Sequence, residues 1–227
     1  MILPVEGLAS VTGVIAIVLA YLIGAIPSAY LITRLVTGKD IRKLGTGHTG
    51  VGNVGARNVF VNVGKIAGAG VAIFDIAKGA GAVALALWVL NAPPLFVLGA
   101  GLAAVVGHIW PVYLRFVGGG GLATVVGVLS VLMIREVMTA LPVALVLIIV
   151  TRNVVLSAIL ALAAIPLLLW YIGHPWWVVV FPLILYAVML THFLPNIIAE
   201  VRKAKSVGEL VDGLLRRDKT RRKGSKH

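Results

Sequence analysis

Apolar runs about as long as a bilayer is thick alternate along this chain with short polar breaks, a pattern that predicts a bundle of membrane helices. A spanning helix needs roughly 20 apolar residues, fewer where the membrane thins or the segment only dips into it. Seven segments qualify, at about 9–36, 66–91, 94–115, 120–134, 137–151, 153–172 and 175–196. The fourth and fifth are short enough to form a tight pair of half-buried helices, so five or six spans stay open beside seven. Breaks are expected at Asn91-Ala92-Pro93-Pro94, across Gly118 to Gly121, at Arg135-Glu136, at Arg152-Asn153 and at Gly173-His174-Pro175, where helix breakers or charges interrupt the apolar pattern. The opening MILPVEGLAS has no basic stretch before its apolar run, so that run is expected to remain as an anchor.

Composition strengthens the membrane assignment. The chain has 227 residues, 60% hydrophobic and only 12% charged, with a mean hydropathy of +1.05, whereas ordinary soluble domains are about half apolar and about a quarter charged. The formal net charge is +12, and 10 of the 20 Lys and Arg lie between Arg202 and Lys226. Most of the rest lie in short loops, which favours anionic lipid headgroups over nucleic acid as the partner. There is no cysteine, so disulfides and thiolate metal sites are excluded.

Basic residues concentrate in the segment 37–65 and after 196, and short basic segments stay on the cytoplasmic side. Seven spans starting outside put the segment 37–65, Arg115 with Gly118–Gly121, Arg152 and the tail inside, leaving the Pro93 turn, Arg135 and His174 outside. His174, beside Pro175, Trp176 and Trp177, is read as part of an interfacial aromatic belt. Val207, Leu210, Val211, Leu214 and Leu215 recur at helical spacing. They predict a short amphipathic helix on the inner leaflet, with disorder beyond about residue 218. The chain divides into 1–198, the membrane domain, and 199–227, a basic cytoplasmic tail.

The densest chemistry is GKDIRKLGTGHTGVGNVGARNVFVNVGK at 38–65. Gly45, Gly47, Gly50, Gly52 and Gly55 let the backbone curl, and Lys39, Arg42, Lys43, Arg57 and Lys65 surround it with positive charge. Consecutive peptide N–H groups in such a turn converge on an anion while Lys or Arg neutralises it, so the loop is suited to phosphate. The competing reading is a basic connector that only obeys membrane topology. Within the loop a five-residue unit repeats, Gly45-Thr46-Gly47-His48-Thr49 and then Gly50-Val51-Gly52-Asn53-Val54. This creates overlapping G-x-G-x-x-G matches, but no strand-helix unit surrounds them, so a dinucleotide site is excluded. A Walker lysine pattern and a G-x-S-x-G elbow are absent too. Asp75 and Lys78, three apart in the second segment, lie on one helix face and either neutralise each other or serve the site.

Five blocks carry a resemblance. YLIGAIPSAYLITRLVTGKDIRKLG at 21–45, NVGARNVF at 53–60, FDIAKGAGAV at 74–83, GHIWPVYLRFVGGGGLAT at 107–124 and THFLPNI at 191–197 resemble, in that order, the bacterial acyl-phosphate:glycerol-3-phosphate acyltransferases of the PlsY type. The resemblance implies an all-α polytopic membrane protein of about seven transmembrane helices with glycine-rich cytoplasmic loops, in the bacterial inner (cytoplasmic) membrane. It implies transfer of a fatty acyl group from acyl phosphate to glycerol 3-phosphate, giving lysophosphatidic acid for phospholipid synthesis, with no metal or organic cofactor. A non-catalytic relative that binds phospholipid or acyl phosphate is the alternative.

Carried onto this chain, the resemblance implies Thr46, His192 and Asn196 as catalytic residues. Substrate phosphate falls to Gly45, Gly47, Gly50, Gly52, Asn53, Gly55, Arg57, Asn58, Lys65 and Gly118, Gly119, Gly120 and Gly121. Asp75, Lys78 and His108 support the site. The chain departs from the family pattern at several positions. One five-residue unit is inserted in the first block, so Thr46 or Val51 takes the serine place and only Thr46 keeps a hydroxyl. Arg57 stands for a threonine and Val61 for an arginine. Val117 and Gly120 stand for two lysines. His192 and Asn196 are one residue further apart than usual, and Ala199 replaces a basic residue.

Overall fold

A computed structural model describes the backbone over residues 5–44, 53–151 and 154–203, and side chains from residue 9 onward except at 154–155, 193 and 195–203. All regular structure among the described residues is helical. The elements are α1 (Val5–Ala25), α2 (Ser28–Thr37), α3 (Ala56–Asn62), α4 (Lys65–Ala84), α5 (Pro94–Ile109), α6 (Leu122–Leu132), α7 (Ile134–Thr151), α8 (Val154–Ala163), α9 (Ile165–Ile172) and α10 (Trp176–Lys203). Short 3-10 turns lie at Ile41–Lys43 and Val112–Leu114, and a π turn at Leu85–Val89 extends α4.

The apolar segments read from the sequence are helices, with instructive differences at their ends. The first is broken by Pro27 into α1 and α2, because a proline inside a helix supplies no N–H and crowds the preceding turn. The Arg135-Glu136 break lies elsewhere: the chain turns at Met133, and both charges fall in the first turn of α7. The segment 53–62, read as loop, contains the short helix α3 begun by Gly55. Helices at Ala9–Thr37, Lys65–Val89, Pro94–Leu114 and Ile134–Thr151 are long and apolar enough to cross a membrane, while Leu122–Leu132, Leu156–Ile172 and Trp176–His192 are shorter. The expected tail helix at 207–215 lies outside the described residues.

Two close helix pairs form the frame. α1 lies along α5, where Gly24 rests against the Ala104 backbone and Gly107 against the Tyr21 carbonyl; α4 lies along α6, where Gly79 meets the Thr124 carbonyl and Gly127 the Ile76 carbonyl. Any side chain at these positions would run into backbone. Lipid tails leave little hydrophobic drive between helices, so such small residues bind them by close backbone approach. A main core of Val83, Ala100, Val105, Val125, Leu129 and Leu185 fills the space between the pairs. A second, smaller core at one end joins Ala29, Ile41, Val54, Val59, Val71 and Leu114.

The far end is closed differently. His174 Nε2 stands 3.8 Å from Glu136 Oε1, tying the start of α7 to the turn between α9 and α10. Trp170, Tyr171 and Trp176 are exposed around it. Between α8 and α9, Pro166 leaves the Leu162 carbonyl without its helical partner, and the Tyr186 hydroxyl of α10 donates to it at 2.6 Å. Tyr186→Phe is therefore expected to lower stability by about 1–3 kcal/mol through an unsatisfied buried carbonyl. The loss should shrink when Pro166→Ala restores the missing N–H, as checked by thermal unfolding in detergent. Equal losses in both backgrounds would refute the bond's role.

Candidate active site

The site is built around the Pro27 break. Once α1 ends, the Ile26 carbonyl leaves the helical ladder, and Lys78 Nζ of α4 donates to it at 3.0 Å. Lys78 Nζ also lies 3.0 Å from Asp75 Oδ1, its partner one turn earlier. Ser28, the first residue of α2, donates its hydroxyl to the same oxygen at 2.6 Å. His108 Nδ1 from the last turn of α5 stands 3.6 Å from it, beyond hydrogen-bond range but well within electrostatic reach. All four side chains are buried. A carboxylate in an apolar bundle is thus ringed by two donors and an imidazole drawn from three helices.

His108 extends this cluster to the glycine turns. Its carbonyl accepts from Gly119 N at 3.2 Å, and the neighbouring Gly118 carbonyl accepts from Val54 N at 3.1 Å. At Gly118 a side chain would strike the His108 and Ile109 carbonyls, and at Gly119 it would strike His108 Nε2 and the Val54 carbonyl. Glycine is required there by space. Gly121, in the left-handed region at φ +82°, caps α6. A cavity of about 10 Å³ lies among Ser28, Val54, Lys78, His108 and Gly118, room for about one water and no more.

The stems of the first glycine loop are held by Asn58. Its Nδ2 donates to the Asn53 carbonyl at 2.7 Å and the Leu44 carbonyl at 3.1 Å, the residues that flank the stretch 45–52, and Asn62 Nδ2 donates to its Oδ1 at 2.6 Å. Asn58, expected to contact phosphate, is thus engaged as the clamp of the loop. Asn53 Oδ1 beside Gly55 is buried and has no hydrogen-bond partner among the described residues.

Positive charge is distributed unequally. Arg42 makes a two-pronged pair with Asp40, 2.7 Å at the shorter contact, and lies over the Tyr30 ring at 5.4 Å. The bonds from Arg42 hold the Asp40 carboxyl below its usual range. Two of the three guanidinium nitrogens of Arg42, Nε and Nη2, are thus committed to Asp40. Arg57, half-buried in α3, makes no hydrogen bond or ion pair among the described residues, and Lys65 is exposed at the start of α4. His192 of α10 is half-buried and within electrostatic reach of His108. Gly45, Thr46, Gly47, Gly50 and Gly52 lie outside the described residues, as does the Asn196 side chain; the Asn196 backbone is in α10. One feature had no sequence signal: Arg115 and Phe116 are consecutive non-glycine residues in the left-handed region, at φ 54° and 62°, each costing about 1–2 kcal/mol.

The profile of the glycerol-3-phosphate acyltransferase family matches residues 14–203. The chain belongs to this family. Among the relatives of this acyltransferase, glycerol-3-phosphate acyltransferase 1 of Dehalococcoides mccartyi is 36% identical over 169 residues, covering 70% of this chain and 76% of that protein. Glycerol-3-phosphate acyltransferase 2 of Moorella thermoacetica is 39% identical over 183 residues, covering 81% of this chain and 91% of that protein. The crystal structure of PlsY, an integral membrane glycerol 3-phosphate acyltransferase, in its glycerol 3-phosphate form superimposes with a TM-score of 0.73 at 30% identity, covering 84% of this chain and 92% of that one. The lysophosphatidic acid form superimposes at 0.71 and 27% identity, covering 88% and 98% of the two chains. This family member is an all-helical, multi-pass membrane protein.

Removing one member of the buried cluster strands the others. Asp75→Asn leaves Lys78 charged in an apolar interior and is expected to cost about 3–5 kcal/mol. The double change Asp75→Asn with Lys78→Met should cost less, as read by thermal unfolding and by yield in detergent. A double variant weaker than the single would mean that the two do not act as an ion pair.

Proposed function

We propose that this protein transfers a fatty acyl group from acyl phosphate to the 1-hydroxyl of glycerol 3-phosphate at the end of the bundle where the two glycine stretches meet. The glycerol oxygen attacks the acyl carbon, and a new ester C–O bond forms. The acyl carbon's bond to the phosphate oxygen breaks, and the hydroxyl proton leaves with inorganic phosphate. The product is lysophosphatidic acid. Acyl phosphate is already activated, so holding two phosphates and the hydroxyl in register supplies much of the rate.

The observation that carries this reading is the direct bond between the two glycine stretches, Val54 N to the Gly118 carbonyl at 3.1 Å, with Arg57 and Arg115, each without an ion pair among the described residues, three residues from either end of it. Family membership gives the acceptor and the reaction class. The resemblance at the level of motifs gives acyl phosphate as the donor. Thr46 supplies a hydroxyl and His192 and Asn196 supply polar groups from the last helix. Gly45, Gly47, Gly50, Gly52, Gly55, Gly118, Gly120 and Gly121 present peptide N–H groups to phosphate, with Arg57 and Lys65 as its counter-charges, while Gly119 N stays on the His108 carbonyl and shapes the turn. Asn53 offers to a substrate hydroxyl the side-chain oxygen that has no partner among the described residues. Asp75, Lys78 and His108 keep this framework in place.

On this reading seven segments cross or enter the membrane. Residue 1 lies outside, and the glycine loops and the tail 199–227 lie on the cytoplasmic side of the bacterial inner membrane, where the basic tail meets anionic headgroups. At 11 residues, α6 is about 16 Å long, so it enters the membrane without matching the roughly 30 Å hydrocarbon thickness.

Purified protein given acyl phosphate and glycerol 3-phosphate should release inorganic phosphate and form lysophosphatidic acid. Arg57→Ala should raise the KM for one or both substrates by the equivalent of roughly 2–3 kcal/mol, the worth of a charge-assisted contact, and Arg57→Lys by less. Turnover with both constants unchanged in Arg57→Ala would remove Arg57 from the site. Absence of any turnover would favour a non-catalytic lipid-binding relative.

A further inference from the structure

Arg115 stands in a place that its own backbone disfavours. Residues 111–117 form a tight turn after α5: Leu114 N donates to the Pro111 carbonyl at 3.1 Å, Phe116 N to the same carbonyl at 2.9 Å and Val117 N to the Leu114 carbonyl at 3.3 Å. The turn drives Arg115 and then Phe116 into the left-handed region, at φ 54° and 62°. Glycine adopts that conformation freely, whereas any side chain beyond the short polar ones is strained there. Strain of this kind persists where the surroundings fix it, and it clusters at sites of function.

The surroundings fix it firmly. Leu114 is buried in the small core with Ile41, Val54 and Val59, so the residue before Arg115 is anchored to the stem of the first glycine loop and to α3. Arg115 itself is exposed. Its side chain makes no hydrogen bond or ion pair among the described residues.

Its distance from the glycine stretches is bounded by the chain. Val54 N and the Gly118 carbonyl are bonded at 3.1 Å. Arg57 lies three residues beyond Val54 and Arg115 three residues before Gly118. Consecutive Cα atoms are about 3.8 Å apart, so each arginine Cα lies within about 11 Å of its own bonded residue. A turn without lysine at Val117 or Gly120 thus has at its edge a guanidinium with no ion pair among the described residues.

We propose that Arg115 is a second phosphate-binding cation of the site, facing Arg57 across the joined glycine stretches and serving the second of the two phosphate groups that the reaction brings together. This rests on the acyltransferase reading above and adds to it a residue outside the glycine motifs. A guanidinium holds phosphate through two parallel N–H···O bonds and keeps its charge at every working pH.

The test uses the strain itself. Arg115→Gly removes the charge and relieves the backbone, so it should melt at the same or a higher temperature in detergent than the native protein. Its KM for glycerol 3-phosphate or acyl phosphate should nonetheless rise about tenfold or more, with kcat changed less. Arg115→Lys should recover part of that loss and Arg115→Gln none. Phe116→Gly relieves the same turn without touching charge and should leave KM near native. Inorganic phosphate, added alone, should raise the melting temperature of the native protein and of Phe116→Gly but not that of Arg115→Gly or Arg115→Gln. This last readout needs no turnover, so it decides the role of Arg115 even if the acyl-transfer assay fails. The proposal is overturned if Arg115→Gly and Arg115→Gln keep both the native KM values and the phosphate-induced shift, or if Arg115→Gln performs as well as Arg115→Lys.

Discussion

The Asp75 carboxylate lies inside an apolar bundle, where an anion is tolerable only when donors surround it. Its donors come from different helices, and each constrains the element that supplies it. For the Ser28 hydroxyl to reach within 2.6 Å, α2 must diverge from α1 at Pro27. That divergence releases the Ile26 carbonyl, which takes the second bond of Lys78. His108 completes the ring from α5, and its own carbonyl then receives Gly119 N. A single buried charge therefore fixes a helix break, the end of another helix and the seat of a glycine turn. Low dielectric makes this arrangement close to all-or-none, because each lost donor leaves a charge that water cannot reach.

Such short polar contacts require helices that approach more closely than ordinary side chains permit. Gly24 with Gly107 and Gly79 with Gly127 supply that approach on either side of the cluster. Gly79 adjoins Lys78 and Gly107 adjoins His108, so the small residues lie next to the groups whose distances they set. Packing and electrostatics are coupled here in sequence as well as in space. A larger residue at Gly79 would push α4 from α6 and displace Lys78 from the Ile26 carbonyl in the same movement.

The bundle was legible in the sequence because hydropathy reports burial in lipid directly. Proline and glycine likewise marked the turns at 91–94, 118–121 and 173–175. The break at Pro27 is masked in the sequence, since its flanks are nearly as apolar as the rest of the first segment and the single hydroxyl of Ser28 does not interrupt the hydropathy pattern. The start of α7 at Ile134 departs from the sequence pattern for the opposite reason. Glu136 is a charge, but it is buried and faces His174 across 3.8 Å, so it stays inside a helix that local polarity would end. The position of Asn58 in a glycine motif points to phosphate. Only the fold reveals that its amide bonds the Leu44 and Asn53 carbonyls. The Asp75–Lys78 pairing was readable from helical spacing. The approach of Ser28 and His108 was not, because it depends on contacts between residues far apart in the chain.

A basic residue near a glycine loop becomes an anion site only after the nearby acids and rings have been matched to it. Arg42 looks as suited to phosphate as any residue of the loop, yet Asp40 and Tyr30 take its guanidinium on two sides. Because Arg42 also holds the Asp40 carboxyl below its usual range, the pair stays ionised at any ordinary pH. Arg57 and Arg115 are different, with no acid opposite them among the described residues. The glycine run at 118–121 packs too tightly against His108 and Val54 for side chains at Gly118 and Gly119, so a charge serving the turn has to stand at position 120, which is glycine here, or at the edges of the run. Cations placed there can reach an anion on the turn without disturbing the close backbone contacts that shape it.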